Sequence, residues 1–532
     1  MSISDAAPLN PVPLSADPVA SMSDKRKLLI FAIMAFGQFM ALLDIQIVAA
    51  SLNSIQAGLS AGPDEIAWVQ TSYLMAEIVM IPLAAFLSQA ISTRWLFVGS
   101  AVLFTLASLL CGLAWSIESM IIFRAIQGFV GGAMVPTVFA TGFSLFTGKQ
   151  RAMIPAVLGM VSTLAPTLGP TLGGLITETW SWHWLFFINV IPGTIIAVSL
   201  ATLGKVDEAN LSMLKRIDWL HVASLAIFLG AFQYILEEGP RYQWFEDETI
   251  RTVAWVSFIG FLVFLERSFY STMPVLKLTP FRNPVFALAC VLNIVIGFGL
   301  YSATYLTPVF LGRVSGYSSL DIGMTVFVAG IFMVFSAPLA ARLTTVVDQR
   351  VVISVGFSLF AISLWMFSFV TSSWGFDELF IPQGLRGFAL LLCIVPSVGM
   401  ALNSLGPEEL RYGSGLFNLM RNLGGAIGIA SVTTWLGDFA RANASRLGEA
   451  VNTANLDGFN AMAARIGAWT SDPDLARMMV EAEMGHLVAR EALTLAFQDV
   501  FVVMAAMFVL ALLIVPFCKA AKLSDEPQAP AH

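Results

Sequence analysis

The chain has 532 residues, 57% of them hydrophobic and 12% charged, with a formal net charge of -7, whereas an ordinary soluble domain carries roughly 25% charged residues. That composition excludes a soluble globular protein, and with no polybasic run there is no case for a nucleic-acid partner. With about 20 apolar residues needed per crossing, the chain reads as an all-α integral membrane protein held in a lipid bilayer.

Residues 1–24, rich in Pro, Ser and Ala, read as a disordered tail. Apolar stretches then predict helices at 28–50, 66–88, 95–115, 119–146, 152–177, 184–203, 218–236, 252–269, 285–310, 320–341, 350–370, 379–404, 412–436 and 496–517. The first follows Lys25, Arg26 and Lys27 but is too long for a signal-peptide core, so it stays as helix 1. Fourteen crossings put both termini on one side. Short loops on that side hold most of the Lys and Arg, while the opposite short loops hold Arg241, Arg251 and Arg313. The positive-inside rule therefore places both termini in the cytoplasm. Segment 437–495 is too long for that rule. Its stretch DPDLARMMVEAEMGHLVAREALTLAFQDVF mixes charged and apolar residues at helical spacing, which predicts amphipathic helices on the periplasmic side. Residues 518–532 read as a second disordered tail. Cys111, Cys290, Cys393 and Cys518 are single and far apart, so neither a disulfide nor a metal site is expected. No cofactor is expected either.

Helix 5 contains GMVSTLAPTLGPTLGG, from Gly159 through Pro166 to Gly174. Such a helix persists in lipid because neighbouring helices satisfy the backbone groups freed by proline, and glycine admits another helix closely. The chain also repeats itself. PLAAFLSQAISTRW from Pro82 matches PLAARLTTVVDQRV from Pro338, ending in Arg94 and Arg350, and Gln127-Gly128-Phe129 matches Arg386-Gly387-Phe388. Helices 1–6 thus recur as helices 9–14 in the same orientation, with helices 7 and 8 as an inserted hairpin. The domains expected are 25–204 and 284–517, the latter including loop 437–495, separated by the insertion and its linkers at 205–283.

Two parallel six-helix halves are the architecture of the major facilitator superfamily. The motifs resemble those of its fourteen-helix drug:proton antiporters, the EmrB-like pumps in particular. LLDIQIVAASL places Asp44 on the family's acidic position, and RAIQGFVGGAMVP carries the Arg-x-x-Gln-Gly signature at Arg124, Gln127 and Gly128. Gly169-Pro170-x-x-Gly173-Gly174 is similar to the antiporter motif, and Asn418-Leu419-Met420-Arg421 resembles the family's helix-13 arginine segment. The resemblance implies a major-facilitator fold of two six-helix bundles plus two inserted helices. It also implies proton-coupled export of hydrophobic or amphipathic compounds across the inner membrane. A periplasmic adaptor and an outer-membrane channel are implied as partners. One motif departs: the charged latch between helices 2 and 3 is reduced to a segment holding Gln89 and Arg94, and Asp348, beside Arg350 in the repeat's copy, is a candidate for part of that role.

Ionisable residues inside spans are functional candidates by default. Asp44, Glu77, Arg124, Arg386 and Arg421 qualify, with Glu77 roughly 16 Å into helix 2 by helical rise. A carboxyl in a partly desolvated cavity resists ionisation and a nearby arginine favours it. If opening changes their separation, proton affinity becomes linked to conformation. Asp44 and Glu77 are therefore the candidate proton carriers and Arg124 the tuning cation. The alternative for Asp44 is a structural partner that fixes helix 1 against helix 4 or 5. Gln127, Arg386, Asn418 and Arg421 are candidates for the substrate cavity or the interface. A same-fold transporter of one metabolite, or of an organic anion such as a fatty acid, remains open, as more remotely does a receptor or enzyme. An ATP-driven pump lacks its GxxxxGK[ST] loop.

Overall fold

The structure is a computed structural model that describes residues 22–62, 65–146, 148–151, 153–203, 206–271, 274–406, 409–454 and 473–518. The tail expected at 1–24 therefore lies almost wholly outside the described residues, as do 519–532 and the centre of segment 437–495. Fourteen long helices dominate. In the first half they are α1 (Asp24–Ala50), α2 (Ala67–Ile91), α3 (Thr93–Gly112), α4 (Ile117–Leu145), α5 (Met153–Thr179) and α6 (Trp184–Leu203). The inserted pair is α7 (Trp219–Glu238) and α8 (Glu248–Tyr270). The second half holds α9 (Pro284–Arg313), α10 (Ser319–Val346), α11 (Gln349–Phe367), α12 (Phe376–Asn403), α13 (Leu410–Ala454) and α14 (Pro473–Leu512). Among the described residues, 13 of these helices are long and apolar enough to cross a membrane. The exception is α13, diluted by Asn418, Arg421, Asn422 and its glycines, and it packs between α9 and α14.

The helices sit where hydropathy predicts, and the boundaries move for local reasons. Helix α8 starts earlier than expected because the Asp247 carboxylate accepts the amides of Thr249 and Ile250, a side-chain cap. The stretch expected as one helix over 119–146 is two collinear segments, Ile117–Gly131 and Met134–Leu145. Helices α13 and α14 run 45 and 40 residues, well past their apolar parts. Their charged ends leave the apolar layer side by side, with Asn443 donating to Asp499 at 3.3 Å. A short helix, Leu52–Leu59, follows α1 and was not anticipated.

Glycines reveal the repeat in three dimensions. A Cβ on Gly128 would lie 2.2 Å from the Tyr73 carbonyl oxygen, and one on Gly387 would lie 2.1 Å from that of Ala329. Both glycines thus seat α4 on α2 and α12 on α10 at the offsets that the sequence match predicts. Gly169 and Gly173 bring α5 against Gln46 and Ile47 of α1, and Gly424 and Gly428 bring α13 against Ile294 and Phe298 of α9. The prolines of α5 remain inside a continuous helix. Hydroxyls of Thr163, Thr167 and Thr177 donate to carbonyls one turn earlier. The other face of α5 meets the second half, where Thr171 packs against Gly323 and Gly159 against Ile394. Helices α2 with α13, and α5 with α10, form the seam between halves. Each close seat predicts a cost. Gly424→Ala should lower stability by about 1–3 kcal/mol through overpacking, while Gly437→Ala, on the same helix with open space around it, should be neutral or stabilising. Thermal unfolding of the detergent-purified variants checks this, and equal effects at the two positions would refute it.

Candidate functional site

For orientation, the near face is the one where α1 begins and the far face is the one where it ends. Asp44, Arg124 and Gln127 come together inside the first half. The Arg124 guanidinium donates to Asp44 at 2.6 Å, and both side chains are fully buried. Gln127 donates to Asp44 at 3.1 Å and accepts from Arg124 at 2.9 Å. Asn189, missed by the sequence reading, donates to Asp44 at 2.7 Å and to Ser108 at 3.0 Å. Arg124 also donates to the Val69 carbonyl and lies over the Tyr73 ring at 4.2 Å. The pair therefore joins α1, α2, α3, α4 and α6. It does not line the cavity described next.

That cavity, of about 370 Å³, lies between the halves and extends toward the far face. Gln46 of α1, Gln70, Leu74 and Glu77 of α2, Pro166 of α5, Tyr301 and Tyr305 of α9, and Asn422 and Thr433 of α13 surround it. Helix α7 closes one side with Gln233 and Glu237. Glu77 is 6% exposed, and among the described residues nothing donates a hydrogen bond to it. Gly132 fixes its backbone, since a Cβ there would lie 2.6 Å from the Glu77 carbonyl oxygen. Of the two carboxyls singled out from sequence, only Glu77 faces the cavity. Glu237 escaped notice because the apolar stretch of helix 7 ends at 236; following α7 one further turn would have exposed it.

The remaining candidates fall elsewhere. Arg421 donates to Asn293 at 3.3 Å and leaves Nη2 unpartnered, and Asn418 donates to the Ser414 carbonyl within α13. Among the described residues, Nη1 of the buried Arg386 and the amide of Gln383 have no hydrogen-bond partner. The signature is inverted in this half: Arg124-x-x-Gln127 becomes Gln383-x-x-Arg386, with no carboxylate paired to the arginine among the described residues. Neither Arg386 nor Arg421 lines the cavity. Of Gly159, Pro166, Gly169, Pro170, Gly173 and Gly174, Gly169 and Gly173 seat α5 on α1, Gly159 faces Ile394 across the seam, and Pro166 reaches the cavity. His183, half-buried and stacked on Trp182 at 3.7 Å, has its imidazole pushed below its ordinary value by burial. All four cysteines are buried and free.

The near-face closure corrects one expectation. Asp348 does not reach across the halves: its carboxylate caps α11 through the Arg350 amide at 2.9 Å and lies 4.0 Å from the Arg350 side chain. Gln89 donates within α2, and Arg94 donates to the Ala201 carbonyl. A polar tie between halves at this face is Asp207, in the linker after α6, together with the Ser414 hydroxyl, which donates to the Pro136 carbonyl at 3.4 Å. Asp207 accepts from the Thr93 amide at 2.9 Å and hydroxyl at 2.6 Å, and from Arg411 of α13 at 2.8 Å. A linker aspartate has no motif to announce it, which is why it was not found from sequence.

Removing one member of a buried ion pair strands the other and costs about 3–5 kcal/mol, whereas replacing both with packed apolar groups is often neutral. Asp44→Ala and Arg124→Ala should each lower stability by about that amount, and Asp44→Leu with Arg124→Met should recover most of it. Unfolding in detergent measures this; additive losses in the double variant would show that the pair is not a unit.

Comparison with known proteins agrees with this architecture. Residues 34–429 match the family described as Major Facilitator Superfamily. The chain is 39% identical to the colistin resistance protein EmrB of Acinetobacter baumannii over 491 residues, 91% of this chain and 95% of that protein. It is 28% identical to the multidrug export protein EmrB of Escherichia coli, over 91% of this chain and 94% of that one. The crystal structure of the human organic anion transporter MFSD10 (TETRAN) shares the fold, with a TM-score of 0.58 at 13% identity, covering 93% of this chain and 100% of that one. The chain is a multi-pass membrane transporter for small molecules, and it belongs to the major facilitator superfamily, within its EmrB-like branch.

Proposed function

We propose that the chain is a proton-coupled antiporter that exports hydrophobic or amphipathic compounds, cationic ones foremost, across a bacterial inner membrane by alternating access. The observation that carries this reading is Glu77, a carboxylate more than nine-tenths buried in the cavity wall with no donor among the described residues. An ionisable group so placed is costly unless it meets a proton or a cationic ligand. If the two compete for one carboxylate, a proton entering from the acidic side displaces substrate, and that competition is exchange. Asp44, already held by Arg124, Gln127 and Asn189, has less freedom to take up and release a proton and serves as the anchor of α1. The names of the A. baumannii and E. coli relatives, colistin resistance and multidrug export, support a toxic-compound exporter.

With both termini cytoplasmic, as the loop charges argue, the cavity opens to the periplasm and the Asp207–Arg411 tie holds the cytoplasmic face shut. Rocking of the halves then requires that tie to break. Arg386 and Arg421 lie away from the cavity and Arg241, at its edge, is 3.9 Å from Glu238, so an organic anion has less to recommend it as cargo. The projecting ends of α13 and α14 suit a periplasmic adaptor that leads to an outer-membrane channel. Enzyme activity is no part of the proposal.

The test uses the purified full chain in liposomes. Glu77→Gln should abolish transport driven by a pH gradient and the proton release that accompanies substrate binding, and should make the residual affinity for a cationic substrate independent of pH. Proton release and gradient-driven transport at wild-type levels in Glu77→Gln would refute the assignment.

A further inference from the structure

The inserted pair α7–α8 has no counterpart in the six-helix repeat, yet α7 forms a wall of the cavity rather than only a lipid-facing strut. Its last two turns place Gln233, Leu236 and Glu237 in the lining. Helix α7 packs chiefly on α2 and α8 and also touches α13, so it bridges the seam between halves on the open side. Trp68 of α2 stacks on Tyr234 of α7 at 5.5 Å between centroids, and this fixes the level of one helix against the other. Gly230 lies beside Met75 at 4.0 Å, consistent with the same antiparallel register. From that register Glu237 stands nearer the far face than Glu77 by roughly 15 Å of helical rise. The cavity thus has a carboxylate at its base and another toward its mouth.

Two further observations say that this is a site for a ligand. Glu77 is more than nine-tenths buried, unpartnered among the described residues, and lines the cavity. Gln70, between the two levels, has a buried amide oxygen without a donor among the described residues. No donor to Glu237 is found among the described residues either. Arg241, the cation at the mouth, lies 3.9 Å from Glu238, one residue away from Glu237. The lining also carries Leu42, Ile45, Leu74 and the rings of Tyr301 and Tyr305, interrupted by Gln46, Gln70 and Asn422. A mainly apolar passage with an anion at each end matches an elongated molecule with a cation at each end.

We propose that Glu237, carried by the inserted helix α7, is a specificity-determining residue that works with Glu77 to select elongated dications, two cationic heads joined by an apolar spacer, over monocations. The inference rests on the exporter reading for its biological sense, but its test is equilibrium binding and needs no proton coupling. A second charge-assisted contact in a desolvated site adds affinity only for a ligand long enough to reach it. The inserted pair is then a selecting element added to a symmetric rocker.

The experiment measures binding of pentamidine, a bis-amidine, and of tetraphenylphosphonium, a monocation, to the full chain in lipid nanodiscs by calorimetry. The wild type should bind pentamidine more tightly. In Glu237→Gln the ratio of the two dissociation constants should fall about tenfold, and Glu237→Asp should restore part of it, with thermal unfolding confirming that each variant is folded. An unchanged ratio in folded Glu237→Gln would overturn the proposal, as would a wild type that shows no preference. If the ratio falls while Glu77→Gln still releases protons on transport, the two-anion site stands and the proton-carrier assignment fails.

Discussion

The fold depends on one buried ion pair in a solvent that cannot hydrate it. Lipid offers no partners to polar groups, so each must be satisfied inside the protein. Asp44 and Arg124 satisfy one another and draw in Gln127, Asn189, Ser108 and the Val69 carbonyl. Five of the six helices of the first half meet at that point. A carboxylate bound this thoroughly is a fixed point against which other parts move.

The cavity is what the packing around that fixed point leaves open. Glycine seats bring α4 onto α2 and α5 onto α1, and their repeats bring α12 onto α10 and α13 onto α9. Each half is thereby a close-packed unit, and α2/α13 and α5/α10 form the seam between them. Asp207 closes the seam at the near face with Arg411 and Thr93. At the far face the inserted helix α7 leans across it. Glu77 lies at the base of the opening, held in position by the close approach of Gly132 to its backbone and without a donor to its carboxylate among the described residues.

Much of this was legible in the sequence. Hydropathy located all fourteen helices because each crossing needs an apolar stretch of nearly fixed length. The Pro82 and Pro338 segments disclosed the repeat because both copies keep the same helix-packing contacts. What the sequence could not rank was Asp44 against Glu77, since a one-dimensional reading gives depth along a helix but not which side faces a neighbour. Glu237 was hidden because it falls just past an apolar stretch. Asp207 was hidden because a single acid in a polar linker has no pattern, and the candidate for part of the latch role, Asp348, was occupied in capping its own helix. The ends of α13 and α14 ran long because helix formation continues outside lipid where no proline or glycine pattern stops it.

The central claim is that the paired carboxylate holds the structure and the unpaired one carries the exchange. The most direct measurement is mass-spectrometric mapping of dicyclohexylcarbodiimide, which modifies protonated carboxyls in apolar surroundings, on the full chain in lipid with and without a saturating cationic substrate. The account predicts an adduct on Glu77 that substrate suppresses, with Asp44 unmodified. An adduct on Asp44 with none on Glu77, or labelling of Glu77 indifferent to substrate, would contradict it.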